Sequence, residues 1–215
     1  MSGLGHAAKR MRGRREAARA MRAAAPVAEA SPRVYHALLW RLGRGSKSVL
    51  DIGTGVMASV DDLPARTKIG LDVHRPYLEN RRSKAAVPLN ADALAVGDLF
   101  VPGAVDLVTL LDVVEHFTAE DAEALLAQAE QVAGKRVVVS TPRGEFPQDG
   151  FDAYGLGGEE LQRHRSAWQP EDFSRRGYSV VVLRGLHTAA NESFVEAFGP
   201  DAPPVDGLMA WKDTA

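Results

Sequence analysis

The stretch Val49-Leu50-Asp51-Ile52-Gly53-Thr54-Gly55 puts an apolar run, a carboxylate and two glycines into seven residues. A strand that runs into a glycine turn lets backbone N–H groups approach a ligand with no Cβ in the way. Dinucleotide binding is one chemistry that fits. Gly53-x-Gly55-x-x-Ala58 matches that fingerprint, with Asp72 at the end of the next strand for a ribose. Taken singly, an Asp at a strand end is as often a turn former or helix cap. His164 is the first candidate general base and His116 the second, because a near-neutral imidazole accepts a proton from an O–H or N–H group. His164 stands in a polar loop, residues 143–168, that follows a strand; open α/β sheets bind ligands there, and loops this long are usually functional. His164 and Trp168, four apart, could instead pin the loop to the core. Cysteine is absent, which removes thiolate catalysis, disulfides and Cys-ligated zinc together.

The 49–55 stretch resembles more closely the first motif of class I S-adenosylmethionine (SAM)-dependent methyltransferases. That resemblance implies that Asp51, two positions before the first glycine, interacts with the ammonium end of SAM, while Gly53, Thr54 and Gly55 form the cofactor turn. A nicotinamide dinucleotide needs no such carboxylate. The resemblance also implies that Asp72, followed by Val73, accepts from both ribose hydroxyls. Within Asn90-Ala91-Asp92-Ala93, Asp92 would take the adenine amine and Ala93 would offer its N–H. Asp106 to Phe117, with Leu111 and Asp112 at the cofactor, resembles the fourth-strand motif of the ubiquinone-biosynthesis type. The family's third glycine is replaced by Met57, so the turn into the first helix should be wider or differently packed.

The loop looks like that of a bacterial subgroup with an H-x-S-x-W pattern, here His164-Arg165-Ser166-Ala167-Trp168. Tyr35, His36, Phe117, Arg143 and Trp168 are the expected acceptor contacts, and Trp40, Phe146, Phe151 and Tyr154 are further aromatics near the mouth. Arg143, Arg163 and Arg165 would favour an anionic acceptor, or could equally be surface arginines. No metal is expected. The alternative set, Asp112, Glu115, His116 and His164, resembles the E-x-x-E-H plus histidine arrangement of small-RNA 3′-terminal 2′-O-methyltransferases, which use a divalent ion. It departs from that pattern at Asp112 and in having a single loop histidine.

These residues need a scaffold, and the pattern supplies one. Short apolar strands are predicted at 48–52, 68–73, 86–89, 105–111, 136–140, 178–183 and 207–212, with a helix over 118–132 capped by Thr118. Strand–helix alternation argues a doubly wound α/β sheet. The resemblance implies a Rossmann-like three-layer sandwich with a mostly parallel seven-stranded sheet and a C-terminal antiparallel hairpin. Ahead of it, residues 4–25 read as a weak helix with an apolar stripe of Leu4, Ala8, Met11, Ala18 and Met21, ended by Pro26. Ser31-Pro32 opens a second helix to Leu42. The expected division is a basic helical lid or arm, 1–46, and a SAM-binding domain, 47–215.

Charge follows that division. Residues 1–48 hold eleven Lys/Arg against two Glu, net +9, and residues 49–215 hold a net −11. A basic arm on an acidic body can dock on that body or on an anionic ligand, nucleic acid or lipid; it can also be a solvated helix face. No apolar run approaches 18 residues and no secretory signal is visible, so a soluble cytoplasmic monomer or homodimer without a membrane partner is the expectation. The expected function is SAM-dependent methylation of an O or N atom of a small molecule, anionic, sugar-like or natural-product-like, releasing S-adenosylhomocysteine (SAH). The alternatives are a metal-assisted RNA ribose 2′-O-methyltransferase and a non-catalytic SAM-binding protein, with a dehydrogenase behind them.

Overall fold

The computed structural model describes residues 3–23 and 27–214, with side chains in the first helix described at 9 and from 11 onward. Pro26, the expected helix terminator, and the side chains of Leu4 and Ala8 lie outside the described residues. In chain order the elements are α1 (Gly3–Ala23), β1 (Val27–Ala30), α2 (Tyr35–Leu42), β2 (Ser48–Ile52), β3 (Thr67–Asp72), α3 (Arg75–Glu79), β4 (Val87–Asn90), α4 (Val96–Leu99), β5 (Val105–Leu111), α5 (Ala119–Val132), β6 (Ala133–Pro142), α6 (Pro170–Ser174), β7 (Ser179–His187), α7 (Glu192–Phe198) and β8 (Val205–Asp213).

The eight strands form one sheet in the order β1-β7-β8-β6-β5-β2-β3-β4. Only β8 is antiparallel to its neighbours, β6 and β7, so the other seven strands point their carboxyl ends to the same edge. The antiparallel C-terminal hairpin is as expected. The strand count is eight rather than seven, because Val27–Ala30 pairs in parallel with Val180–Leu183 of β7. Four residues carry too little periodicity to announce a strand; the free edge of β7 recruits them.

Helices cover both faces, giving three layers. Leu50, Ile52, Val108 and Leu110 turn to the α5 side, against Leu125 and Leu126. Val49, Leu107 and Val138 turn to the other, against Leu38, Leu39 and Leu42 of α2. β2 and β5 are therefore buried on both faces, as central parallel strands are. Each such leucine contributes about 1.5–3 kcal/mol of burial. The α2 helix starts as expected, with the Ser31 side chain accepting from the Arg33 N–H. The expected stripe of α1 holds at Met21, which packs against the core, and is corrected elsewhere: the buried residues are Ala17 and Ala20, while Met11 is 58% exposed. Small residues bring α1 close to α2, and Met11 is left outside.

Three further differences bear on the site. Between β2 and β3 the expected crossover helix is a single 3₁₀ turn, Val60–Asp62. β7 runs on to His187, beyond the predicted end at 183, after a register shift between Leu183 and His187. Helix α7, unpredicted, follows it.

Candidate active site

Two adjoining cavities open at the carboxyl ends of the strands, of about 350 and 280 Å³. Gly53, Gly55, Asp112, His116 and Gln162 line both. The larger contains Asp72, Val73, Asp92, Ala93 and Phe117; the smaller contains Asp51, Thr54, Leu111, Tyr35, Glu115, His164 and His187.

Around the larger cavity, and at its junction with the smaller where Asp51 stands, the groups are held by their own strands and turns. Gly53 has φ +65°, and a Cβ there would lie 2.7 Å from Val113 Cγ2, so only glycine fits. The Gly55 N–H donates to Asp72 Oδ2 at 2.8 Å, and the His74 N–H donates to Asp72 Oδ1 at 2.8 Å. One hydrogen bond on each oxygen leaves acceptor capacity facing the cavity. Asp51 is 3% exposed, and its carboxylate accepts from Thr109 Oγ1 at 2.6 Å and Thr54 Oγ1 at 2.7 Å. Burial pushes its pKa up to about 6 against the pull of those two hydroxyls. Asp92 uses one oxygen to cap the turn at Ala93, accepting from the Leu94 N–H at 2.9 Å.

Met57 adopts φ +56° and is fully buried, its Cε filling the space above Gly70. The turn is thus closed by a side chain packed on β3, and no α-helix begins there. A dinucleotide site needs that helix N-terminus for its pyrophosphate, so the geometry disfavours the dinucleotide alternative.

The smaller cavity is built by a loop. Along residues 164–168 burial alternates, with His164, Ser166 and Trp168 turned inward and Arg165 and Ala167 exposed, which explains the H-x-S-x-W spacing. The His164 ring reaches the cavity, Ser166 Oγ donates to Val114 O at 3.2 Å, and Trp168 is buried against Phe173 with its Nε1–H on Ser166 Oγ at 3.0 Å. The Arg165 and Ser166 N–H groups donate to Glu115 O at 2.7 and 3.2 Å. His164 Nδ1 meets Phe146 O at 2.8 Å, and His116 Nδ1 meets Arg163 O at 3.4 Å. A carbonyl can only accept, so Nδ1 carries the proton and Nε2 presents a lone pair. The His116 and His164 rings lie edge to face at 5.0 Å. One ligand atom each of Glu115, His116 and His164 lies within 4.8 Å of the others.

Burial sets the charge of this cluster. It lowers His116 to about 4, with His164 adding to the effect, and lowers His164 as well. Glu115 is raised well above the usual carboxylate range by burial and by Asp112; Thr141 Oγ1 donates to its Oε2 at 2.9 Å. Asp112 itself has φ +54°, a conformation a non-glycine residue rarely adopts, and accepts from Ser140 Oγ at 3.1 Å. Ser140 Oγ also meets the Tyr35 hydroxyl at 3.1 Å, which ties α2 to the β6 end.

Several expected acceptor contacts lie elsewhere. Trp168 lines neither cavity, because it is the buried end of the inward row. His36 faces outward, 3.6 Å from Asp62. Arg143 is engaged by Asp206 at 3.3 Å, and Arg163 by Asp149 at 2.8 Å. Phe117 lines the larger cavity rather than the smaller, and Arg165 does likewise. Asp112 lines both cavities but falls outside the three-residue cluster. Of the mouth aromatics, Phe146 and Tyr154 line the smaller cavity and Trp40 does not.

The sequence reading missed His187, Asn191 and Ser193, which form the far wall of the smaller cavity. His187 Nε2 is buried without a hydrogen-bond partner. Its signal was its place at the carboxyl end of a parallel strand, hidden by ending that strand too early. Tyr77 and His74 were also missed. They clamp the loop, through Tyr77 OH to Asp152 Oδ1 at 2.9 Å and His74 Nε2 to Leu156 O at 2.8 Å.

No family model matches the chain, and no curated protein matches its sequence. Solved structures do. A SAM-dependent methyltransferase from Archaeoglobus fulgidus is 18% identical with a TM-score of 0.54, covering 85% of this chain and 95% of that one. Magnesium protoporphyrin IX methyltransferase from Synechocystis PCC 6803, with bound SAH, is 15% identical with a TM-score of 0.51, over 78% and 73%. The methyltransferase domain of bacterial CtHen1-CN is 19% identical with a TM-score of 0.50, over 83% and 96%. The chain thus has the α/β, Rossmann-like fold of methyltransferase structures, with both cavities at its ligand-binding edge.

Proposed function

We propose that the protein is a SAM-dependent methyltransferase acting on a hydroxyl group of a small molecule. The observation that carries this reading is the pair of cavities meeting at Gly53, Gly55 and Asp112: the larger is walled by the ribose- and adenine-type acceptors Asp72 and Asp92, and the smaller holds the imidazoles, with Asp51 on its wall beside that junction. SAM bound in the larger cavity supplies a methyl group made electrophilic by its sulfonium. Asp72 would accept from the ribose hydroxyls, Asp92 and Ala93 would meet the adenine, and ionised Asp51 would face the ammonium end. The protein's remaining task is alignment and proton removal. His164 Nε2, freed by the Nδ1–H contact to Phe146 O, takes the acceptor's proton, and Tyr35, Phe146 and Tyr154 exclude water. The lining of the smaller cavity holds acids and histidines and neither Lys nor Arg. A neutral, hydroxylated acceptor suits it better than the anion suggested by Arg143, Arg163 and Arg165. The test is transfer of labelled methyl from SAM to a metabolite extract, with Asp72→Ala as control. A labelled small molecule formed by the wild type alone supports the reading; label in RNA alone, or in nothing, sinks it.

The convergence of Glu115, His116 and His164 favours one second reading, a divalent cation that activates the acceptor oxygen. The donor set fits. Ligands about 2.0–2.2 Å from one small cation lie about 3–4 Å apart, and both rings have Nδ1 held by a carbonyl, as metal-bound imidazoles do. Glu115 would have to give up its proton. Activity lost in chelator and restored by magnesium or manganese supports this reading; indifference to chelator ends it. The CtHen1-CN domain shares the fold. A ribose hydroxyl at an RNA end would be the acceptor in that case.

A further inference from the structure

We propose that the groove between α1 and α2, on the outer side of the lid, is a docking track for single-stranded RNA. Three adjoining recesses run along it, lined chiefly by Lys9, Arg14, Arg33, Trp40, Arg41 and Arg44. Its single acidic wall residue, Asp62, already faces His36 at 3.6 Å. Among the described residues, none of those four arginines has a carboxylate within ion-pair distance; the ion pairs of the arm are His36 to Asp62 and Glu29 to Arg184. A row of cations with no internal counter-charge binds a polyanion by releasing its condensed counterions. The body below carries a net −11, so a polyanion is repelled from it and confined to the groove.

The groove also shows which polyanion. The Arg14 guanidinium lies 4.4 Å and that of Arg44 5.5 Å from the centre of the Trp40 ring. The exposed guanidiniums of Arg14 and Arg44 offer flat outer faces on which bases can stack, and only unpaired bases can reach them. A duplex would show the groove phosphates alone. A membrane is poorly matched, because an interfacial helix buries large apolar side chains in the lipid. The described outer face of α1 offers Met11 among arginines, and Ala17 and Ala20 are turned inward. RNA is the nucleic acid whose bases ordinarily stand unpaired in loops and ends.

The track runs one helix away from the site, along the eight residues of α2, about 12 Å. Tyr35 lines the acceptor cavity on the other side of α2, and the outward His36 ring sits edge-on to it at 5.3 Å. This surface does not depend on which atom is methylated, and its test involves no methyl transfer.

Fluorescence anisotropy of a labelled 20-mer oligoadenylate titrated with the full chain reads the track directly. The expected result is binding whose affinity falls steeply with salt, with a log–log slope of about −0.7 per phosphate contacted. Arg14→Gln/Arg33→Gln/Arg44→Gln should weaken it at least about tenfold and flatten the slope by about two, three phosphate contacts being lost. An unchanged melting temperature shows that the variant is folded. Should that variant melt early, Arg14→Lys/Arg44→Lys keeps the charge and removes only the stacking planes, and should still lose severalfold. No binding at low salt, affinity indifferent to both variants, or tighter binding to duplex, single-stranded DNA or phosphatidylserine vesicles would overturn the proposal.

Discussion

Around the larger cavity and at its junction with the smaller, Asp72, the glycine turn and Asp51 are fixed by hydrogen bonds from residues on β2, β3, β5 and the turns that end them. Around the smaller one, His116 and His164 are fixed by carbonyls of Arg163 and Phe146, on a loop that is itself tied to Glu115 O, Val114 O, Tyr77 and His74. The first arrangement is local and tolerates little change. The second is a chain of tertiary contacts in which one loop positions both rings and seals the cavity. The sheet thereby fixes the geometry of the first set of groups, while that of the second can be varied by altering one segment.

Breaking each half separately should show this division. The largest effect is expected from His164→Ala. Turnover should fall about 10²–10⁴-fold, the range of general acid–base catalysis, with SAH affinity by calorimetry within about twofold of wild type. Unchanged turnover would remove His164 from the chemistry. Gly53→Ala attacks the other half. The Cβ has no room against Val113 and φ is +65°, so two effects of about 1–3 kcal/mol each should cost SAH affinity about 100-fold.

How far these halves could be read in advance follows from the same difference. The placement of Asp51, Gly53, Gly55, Asp72 and Asp92 at strand ends and turns beside the cavities was legible because strand, turn and carboxylate are neighbours in sequence. The predicted strands at 48–52 and 105–111 are matched by β2 and β5 residue for residue, since both are apolar runs bounded by turn residues. His187 and β1 were not legible. One depends on where a register shift carries β7, the other on an unpaired edge, and neither has a local pattern. Trp168 was legible in two ways, as an acceptor contact and as a pin of the loop to the core, and its burial against Phe173 fits the second.

A pH titration sharpens the cofactor half. Free Asp51 titrates near 6, raised above the ordinary 3.8, so it is ionised above that pH and neutral below. Only the ionised form attracts the ammonium end of SAM. SAM affinity should therefore be flat above about pH 7 and fall towards tenfold per pH unit below 6, the limit for one proton. Asp51→Asn should bind more weakly and lose this dependence; a wild-type profile flat from pH 5 to 7 would contradict the assignment. The smallest effect should come from Trp168→Phe. It removes the Nε1–H bond to Ser166 but keeps the apolar contact with Phe173, costing about 0.5–1.5 kcal/mol of stability. Turnover should change less than about twofold. A larger loss would place the indole against the acceptor after all.

The parallel pairing of β1 with β7 has a bearing on how the arm can be handled. A strand at the rim of a sheet exposes a row of unpaired N–H and C=O groups that invites another chain. At the opposite rim, β4 carries Pro88, which cannot donate and so blunts the edge. β7 has no such protection in Val180–Leu183, a run of four apolar residues. Val27–Ala30 covers that run, and the Glu29 to Arg184 ion pair at 2.8 Å sits beside it. Cutting the chain after the arm would therefore bare an adhesive strand. The shortened protein should self-associate, which makes the arm a guard against aggregation.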